Sequence, residues 1–168
     1  IGTNWRMTEM QAAIGRIALR CLPEWVAARR VNAALLDEAF ARIPGLQVLT
    51  PPAGTEHSYY KHYVTVAPEV LSDKWSRDEI VRSIQQEGIP CGSGLCCEIY
   101  LEQAIQSASL APAERLPNAR ELGDRCIMFM VHPTLSREEI EDTIAATAKV
   151  MRVVAAECDQ SNTQRSAA

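Results

Sequence analysis

Residues 57–67 read HSYYKHYVTVA, and this stretch is the strongest strand signal in the chain. It is rich in tyrosine and valine, and its side chains alternate between two faces, as those of a half-buried strand do. One face would carry Tyr60, His62, Val64 and Val66, and the other Tyr59, Lys61, Tyr63 and Thr65. A sheet built on this strand needs partner strands and covering helices, and the flanking sequence predicts both.

The first 45 residues predict two consecutive helices. Thr8 and Gln11 form a capping box, and apolar side chains then recur at spacings of three and four residues. Pro23 is expected to stop this helix and to open a second one at its first turn, which Pro44-Gly45 ends. Residues 1–45 are therefore predicted to form a long helical arm ahead of the sheet.

Further strands and helices complete the predicted fold. Strand candidates are residues 46–49, 89–91 and 126–131, and helix starts are expected at Ser76, Leu101, Pro117 and Ser136, two of which open capping boxes. This order predicts an α+β domain over residues 46–158, with a small, mostly antiparallel sheet and helices packed on one face. The polar residues 159–168 are expected to be a disordered tail unless another surface holds them.

Composition excludes several classes of function. The 168 residues fit one domain with an appended arm, and a net charge of −4 argues against a nucleic-acid partner. No apolar run approaches the roughly 20 residues of a membrane span, and no signal peptide is visible, so a cytoplasmic protein is expected. The six cysteines lack the spacing of a zinc site or a disulfide framework, and we expect them to be small buried apolar residues.

Considered one at a time, the polar residues do not define an active site. His57 and His62 are five residues apart, so on a strand they point to opposite faces and cannot share a metal. The lysines, Lys61, Lys74 and Lys149, fall in a strand, a turn and an exposed helix face. None has the desolvated setting that a Schiff-base lysine needs. Composition and periodicity therefore predict no more than a soluble α+β domain.

The first segment of the chain is more specific. Residues 2–15, GTNWRMTEMQAAIG, resemble the G-x-N-x-R-[ML]-x-x-x-Q-A-A-x-G signature of the DegT/DnrJ/EryC1/StrS aminotransferases. These are fold-type I pyridoxal-phosphate enzymes that build amino sugars. Residues 57–61, 87–90 and 128–135 resemble later segments of the family in the same order. The resemblance reaches about residue 151 and implies that the chain is the C-terminal small domain of such an enzyme.

The resemblance also implies roles for individual residues. In dimers of this family the Asn-x-Arg segment crosses the subunit interface and reaches the neighbour's cofactor. Asn4 would then donate to the phosphate of pyridoxal 5'-phosphate, and Arg6 would hold a carboxylate or phosphate of the substrate. His57 and Tyr60 are expected near the substrate. The alternatives are a turn residue for Asn4, a surface charge for Arg6 and an ordinary strand position for His57.

Two features depart from the family pattern. Many sugar aminotransferases carry His-Tyr-Pro shortly after a Gly-Ile-Pro turn, where this chain has Gly94-Leu95-Cys96. Ser93 and Glu98, in a flexible loop, would replace the imidazole and the phenol as substrate contacts. The family's catalytic lysine, the acid paired with the pyridine nitrogen and the aromatic ring stacked on the cofactor belong to its large domain. Nothing here matches them, so no catalytic residue is predicted in this chain.

The expected function is therefore that of part of an enzyme. It would transfer an amino group, with glutamate as the expected donor, to a keto group of a nucleotide-linked sugar for amino-sugar or surface-polysaccharide synthesis. A homodimer would share the cofactor across its interface, and the chain alone is predicted to be inactive. Because the sequence begins at Ile1 inside a phosphate-contact motif, a fragment is expected. The alternatives are a stand-alone ligand-binding or regulatory dimerisation module and a degenerate or sensory homologue of the aminotransferases.

Overall fold

The structure is a computed structural model that describes residues 6–72, 74–94 and 96–166. Its elements, in chain order, are α1 (Glu9–Phe40), β1 (Leu46–Val48), β2 (His62–Val66), α2 (Arg77–Gln86), β3 (Cys91–Gly92), α3 (Gln103–Ser107), α4 (Pro117–Arg125), β4 (Cys126–Phe129) and α5 (Arg137–Ser166). Short 3-10 turns lie at Pro68–Val70 and Ile99–Leu101. The described residues thus form an open sheet with helices before, between and after its strands.

The four strands are ordered β1-β2-β4-β3, and each neighbouring pair is antiparallel. Val64 in β2 lies opposite Val48 of β1 on one side and Ile127 of β4 on the other. Because side chains alternate along a strand, this register places the apolar residues of β1, β2 and β4 on one face. The small antiparallel sheet predicted from the sequence is confirmed.

The three longest helices cover the apolar face of the sheet. The hydrophobic core joins Leu36 and Phe40 of α1, Ile80 and Ile84 of α2, and Ile140, Met151 and Val154 of α5 to Val64, Val66, Ile127 and Phe129 of the sheet. The rings of Phe40 and Phe129 lie 4.9 Å apart in a tilted arrangement that aromatic pairs favour. The predicted fold class, an α+β layer with helices on one face, is therefore confirmed.

The N-terminal arm differs from the prediction of two helices. α1 is a single helix of 32 residues that contains Pro23. A proline inside a helix removes the hydrogen bond to the carbonyl four residues earlier. That carbonyl belongs to Leu19, an exposed residue in the half of α1 that does not pack on the sheet, and the helix continues through the proline. The proline was therefore wrongly interpreted as a helix end.

Two further local features differ from the sequence prediction, and a third agrees with it. β2 starts at His62, five residues later than expected, since Tyr59 has a φ of 47° and is not extended. At Ser76 only half of the capping box forms, because Glu79 pairs with Arg82. At Ser136 the box is complete, with Glu139 accepting from the Ser136 amide at 2.7 Å and donating its own amide to Ser136 Oγ at 3.2 Å.

Residues expected to form a disordered tail belong to α5, which continues to Ser166. The helix is anchored as far as Cys158, whose thiol donates to the Val70 carbonyl at 3.2 Å. Each later turn then adds a hydrogen bond to an existing helix and needs no new nucleation. Within the described residues, no helix is both long and apolar enough to cross a bilayer.

Candidate functional site

Asn4 and Arg6 were predicted to serve a cofactor phosphate and a substrate anion. Asn4 lies outside the described residues, so its role stays a prediction. Arg6 is exposed just ahead of α1. The helix start behind it is fixed by the complete capping box, in which Thr8 Oγ1 accepts from the Gln11 amide and the Thr8 amide donates to Gln11 Oε1 at 2.9 Å. The capping box thus fixes the start of α1 two residues after Arg6.

His57 and Tyr60 lie against the other half of α1. Arg30 Nε donates to the His57 carbonyl at 2.9 Å, and the Arg29 guanidinium lies 5.9 Å from the centre of the Tyr60 ring. A helix rises 1.5 Å per residue, so these contacts are about 30 Å along α1 from its first turn. Arg6 and Tyr60 of one chain are thus too far apart to contact the same sugar ring.

A groove of about 330 Å³ opens beside His57. Its lining includes Tyr59, Lys61 and Tyr63, and its opposite wall is the segment 49–52. His57 Nδ1 accepts from the Tyr59 amide at 3.1 Å, and this bond fixes the imidazole at the edge of the groove. The arrangement offers aromatic rings and one cation to a ligand.

His62 lines the same groove but is buried, with only 2% of its surface exposed. Its Nε2 lies 2.7 Å from Asp37 Oδ1, and its Nδ1 has no hydrogen-bond partner. Burial lowers the pKa of His62 below its usual value, and the hydrogen bond to Asp37 offsets part of this effect. Burial therefore favours a neutral His62, held in position by the carboxylate of α1. Sequence reasoning missed this pair, although a histidine on the apolar face of a strand indicates that a buried partner is needed.

Ser93 and Glu98 share a second cleft, of about 270 Å³, with Arg77 and Asp124 on its walls. The loop that carries Ser93 is held against the polar face of the sheet at Gly94. This glycine has a φ of +83°, and a Cβ there would lie 2.5 Å from Tyr63 Cε1. Tyr63 also lines the first groove, so one ring borders that groove and supports the loop beside the second cleft.

The Glu98 carboxylate is fully engaged in the fold. Its Oε1 accepts from Arg115 Nε at 2.9 Å and from the Tyr100 hydroxyl at 2.6 Å, and its Oε2 accepts from a second nitrogen of Arg115. These bonds lower the pKa of Glu98 to about 2. Tyr100 in turn accepts from the Leu116 amide at the start of α4. Glu98 thus joins the cleft loop to α4, which no sequence pattern indicated.

The thiols and carboxylates outside these clefts offer no metal site within the described residues, where no group of three or more metal-binding side chains is close enough. All six cysteines are free thiols. Two of them, Cys96 and Cys97, are exposed, contrary to the expectation that they are buried. Burial raises the pKa of the Cys91 thiol to about 11, which makes it a poor nucleophile.

Two of the three lysines lack the setting that an imine with pyridoxal phosphate, the cofactor implied by the family resemblance, requires. A lysine that forms an imine needs a desolvated site. Lys74 pairs with Glu157 and Lys149 with Glu87, each at 2.6 Å, and both ammonium groups are mostly exposed. Lys61 lies 5.8 Å from the centre of the Tyr60 ring. Lys74 and Lys149 therefore lack the desolvated surroundings of a Schiff-base lysine.

The helix-covered antiparallel sheet is the fold expected of the small domain of the aminotransferases that residues 2–15 resemble. A profile of the DegT/DnrJ/EryC1/StrS aminotransferase family matches residues 1–148. The chain belongs to this family, as the sequence resemblance predicted.

Two curated relatives act on dTDP-linked sugars, as their names state. The dTDP-4-dehydro-2,3,6-trideoxy-D-glucose 4-aminotransferase of Saccharopolyspora spinosa is 29% identical over 144 residues, which are 83% of this chain and 34% of the relative. The dTDP-3-amino-3,4,6-trideoxy-alpha-D-glucose transaminase of Streptomyces venezuelae is 30% identical over 139 residues, 82% of this chain and 34% of the relative. The chain thus spans about a third of the length of these relatives.

A solved structure agrees with the fold. The X-ray structure of an aminotransferase from Psychrobacter cryohalolentis is 44% identical and superimposes with a TM-score of 0.83. The match covers 91% of this chain and 41% of that one. The fold of the small domain is therefore shared with an aminotransferase of known structure.

Proposed function

We propose that this chain is part of a pyridoxal-phosphate-dependent aminotransferase that transfers an amino group from glutamate to a keto group of a nucleotide-linked sugar. The observation that carries the proposal is the family match over residues 1–148, together with the dTDP-sugar substrates in the names of two relatives. The product would enter amino-sugar or surface-polysaccharide synthesis, and the enzyme would act in the cytoplasm. The cofactor supplies the amine-transfer chemistry, and this chain supplies contacts to its phosphate and to the substrate.

Within this proposal the site is shared between two copies of the protein. The separation of about 30 Å along α1 supports this, because Arg6 and Tyr60 of one chain cannot serve one sugar. Asn4 and Arg6 would reach the active site of the neighbouring subunit. His57, Tyr60, Ser93 and Glu98 would contact substrate, and the bonds of Glu98 to Arg115 and Tyr100 would also hold the loop that carries Ser93. These roles follow from the matched motifs and the geometry of the two clefts.

The test compares the 168-residue chain with the full reading frame that contains it. Each is mixed with pyridoxal phosphate, ¹⁵N-glutamate and a series of dTDP- and UDP-linked keto sugars, and the ¹⁵N-amino sugar is detected by mass spectrometry. We expect amino transfer by the full reading frame only. The 168-residue chain should give no product and no shift in cofactor absorbance, because Lys74 and Lys149 lie in solvated, ion-paired settings.

Asn4→Ala provides the residue-level control, with Asn32→Ala as its matched variant. Asn32 lies on α1 and donates to the His132 carbonyl at 3.2 Å, remote from the first turn. We expect Asn4→Ala to weaken cofactor affinity in the full protein by about tenfold, as loss of a hydrogen bond to a charged group does. Amino transfer by the isolated chain would contradict its inactivity. Absence of transfer by the full protein with every keto sugar would contradict the proposed reaction.

A further inference from the structure

Two cations flank one exposed tyrosine near the C-terminal half of α1, and a third follows next in the sequence of the helix. Tyr60 has 72% of its surface exposed. The Arg29 guanidinium and the Lys61 ammonium each lie within 6 Å of its ring centre. Arg30 is the next residue of α1 and is fixed through its bond to the His57 carbonyl. Such a cluster is unusual in a chain whose net charge is −4.

Nothing in the described part of the chain balances this charge fully. Glu56 approaches Arg30 at 3.8 Å, and its side chain is 91% exposed, so this pair is weak. Neither Arg29 nor Lys61 takes part in any of the ion pairs found among the described residues. The cluster therefore carries an excess of two positive charges.

Arg29 also has one hydrogen-bond donor without an acceptor. Its Nε is shielded from water and has no hydrogen-bond acceptor. A buried donor without an acceptor destabilises the fold, so native structures seldom keep one. Because this atom is inaccessible to solvent, an anion could meet Arg29 only through the other nitrogens of its guanidinium.

We propose that Arg29 and Lys61 bind the phosphate groups of an organic phosphate whose ring stacks on Tyr60. Guanidinium and ammonium groups bind phosphate through charge-assisted hydrogen bonds, and Tyr60 offers an exposed aromatic face for stacking. Lys61 also lines the 330 Å³ groove, which is walled by Pro51, Pro52 and Tyr59 and is large enough for a sugar or base ring. The choice of a nucleoside diphosphate rests on the proposed function, which gives the protein such a substrate.

The test is calorimetric titration of the 168-residue chain with pyrophosphate, thymidine diphosphate and thymidine. We expect pyrophosphate and thymidine diphosphate to bind and thymidine to show no binding. Arg29→Gln combined with Lys61→Gln should weaken the binding of both phosphate ligands by about tenfold or more. Arg16→Gln, an exposed arginine on the first half of α1, is the matched control and should leave both affinities unchanged.

Tyr60→Ala distinguishes an organic phosphate from free phosphate. It should weaken the binding of thymidine diphosphate by about fivefold or more and leave pyrophosphate binding unchanged, because only the base stacks on the aromatic ring. Equal loss for both ligands, or no loss for either, would overturn the assignment of an organic ligand. Absence of phosphate binding, or binding that the double variant leaves unchanged, would overturn the site itself.

The outcome is independent of the amino-transfer experiment. Phosphate binding is measured on the isolated chain, whereas amino transfer is measured on the full protein. Loss of phosphate binding with amino transfer intact overturns only the anion site. Loss of amino transfer with phosphate binding intact overturns only the proposed reaction.

Discussion

Gly94 combines two constraints that can be measured separately. Its φ of +83° is strained for any residue with a side chain, and a Cβ there would collide with the Tyr63 ring. Gly54 has the same φ of +83° but no atom within 4 Å of its Cβ position. The pair therefore distinguishes the cost of backbone strain from the cost of steric contact.

We predict that Gly54→Ala lowers the free energy of unfolding by about 1–2 kcal/mol, the cost of a left-handed conformation. Gly94→Ala should cost about 1–3 kcal/mol more, because the added methyl group must displace Tyr63 or the loop. Urea unfolding of both variants, followed by circular dichroism, measures the difference. Equal losses would show that Tyr63 does not hold the loop.

The His62–Asp37 pair leads to a second prediction at this scale. The carboxylate raises the pKa of His62 and opposes the larger lowering by burial. Asp37→Asn should therefore lower the pKa of His62 further, as followed by NMR of the imidazole protons. Glu38→Gln is the control, since Glu38 is exposed and pairs with Arg42 at 2.7 Å. A pKa of His62 that is unchanged in Asp37→Asn would be inconsistent with this pairing.

The helix α1 has two halves with different contributions to stability. Its buried residues lie between Asn32 and Phe40, whereas Met10, Ile14 and Leu19 are exposed in the first half. Only the second half packs on the sheet. The first half is helical because of its capping box and the continuity of the helix, and it adds little buried apolar surface.

A matched pair of leucines tests this division. Leu36 is fully buried and Leu19 is 67% exposed on the same helix. We predict that Leu36→Ala lowers the free energy of unfolding by about 2–5 kcal/mol. Leu19→Ala should change it by no more than about 0.5 kcal/mol. Similar losses in urea unfolding would show that the first half of α1 is also packed against the domain.

The elements differ in how well the sequence predicts them, and the reason is physical. Local signals worked where the decisive contact is a few residues away, as for the capping boxes at Thr8 and Ser136 and the alternation around Val64. Pro23 misled the prediction because the cost of a proline depends on whether water reaches the carbonyl of Leu19. Solvent exposure is a property of the folded chain and cannot be obtained from a local pattern.

The same distinction applies to the candidate site. Ser93 and Glu98 share a cleft and are close in sequence, so a sequence pattern that predicts a loop also predicts that the two residues lie near each other. Arg29 and Tyr60 meet only because the chain returns across α1, and Glu98 meets Arg115 over a separation of 17 residues. Such contacts depend on tertiary packing, which single-sequence motifs do not encode.

At the scale of the whole molecule, acid should destabilise the fold in two steps. The folded pKa of His62 lies below its usual 6.5, so the unfolded chain takes up a proton first as the pH falls through that value. Stability then decreases toward lower pH, by at most about 1.4 kcal/mol per pH unit for one proton, until folded His62 is protonated as well. Glu98 adds a second loss of stability as the pH falls from 4.5, its usual pKa, to about 2, its pKa in the folded chain.

Urea unfolding from neutral pH down to about pH 3 measures both steps. Glu98→Gln should reduce the slope below pH 4.5 and leave the decrease that begins near pH 6.5 unchanged. Asp37→Asn should enlarge the decrease near pH 6.5, because it lowers the folded pKa of His62 further. A slope below pH 4.5 that is the same with and without Glu98 would contradict the assigned role of Arg115 and Tyr100.

Because α1 is long, a small rotation at its packed C-terminal end displaces its N-terminal end by a larger distance. The helix of 32 residues is about 48 Å long and is fixed to the core only over its last nine residues. A tilt of about 5° at that anchor would displace the first turn, and Arg6 with it, by about 3 Å. Substitutions around Leu36 and Phe40 would thus displace Arg6, although they do not contact it. The position of Arg6 therefore depends on how rigidly the distant core holds the C-terminal end of α1.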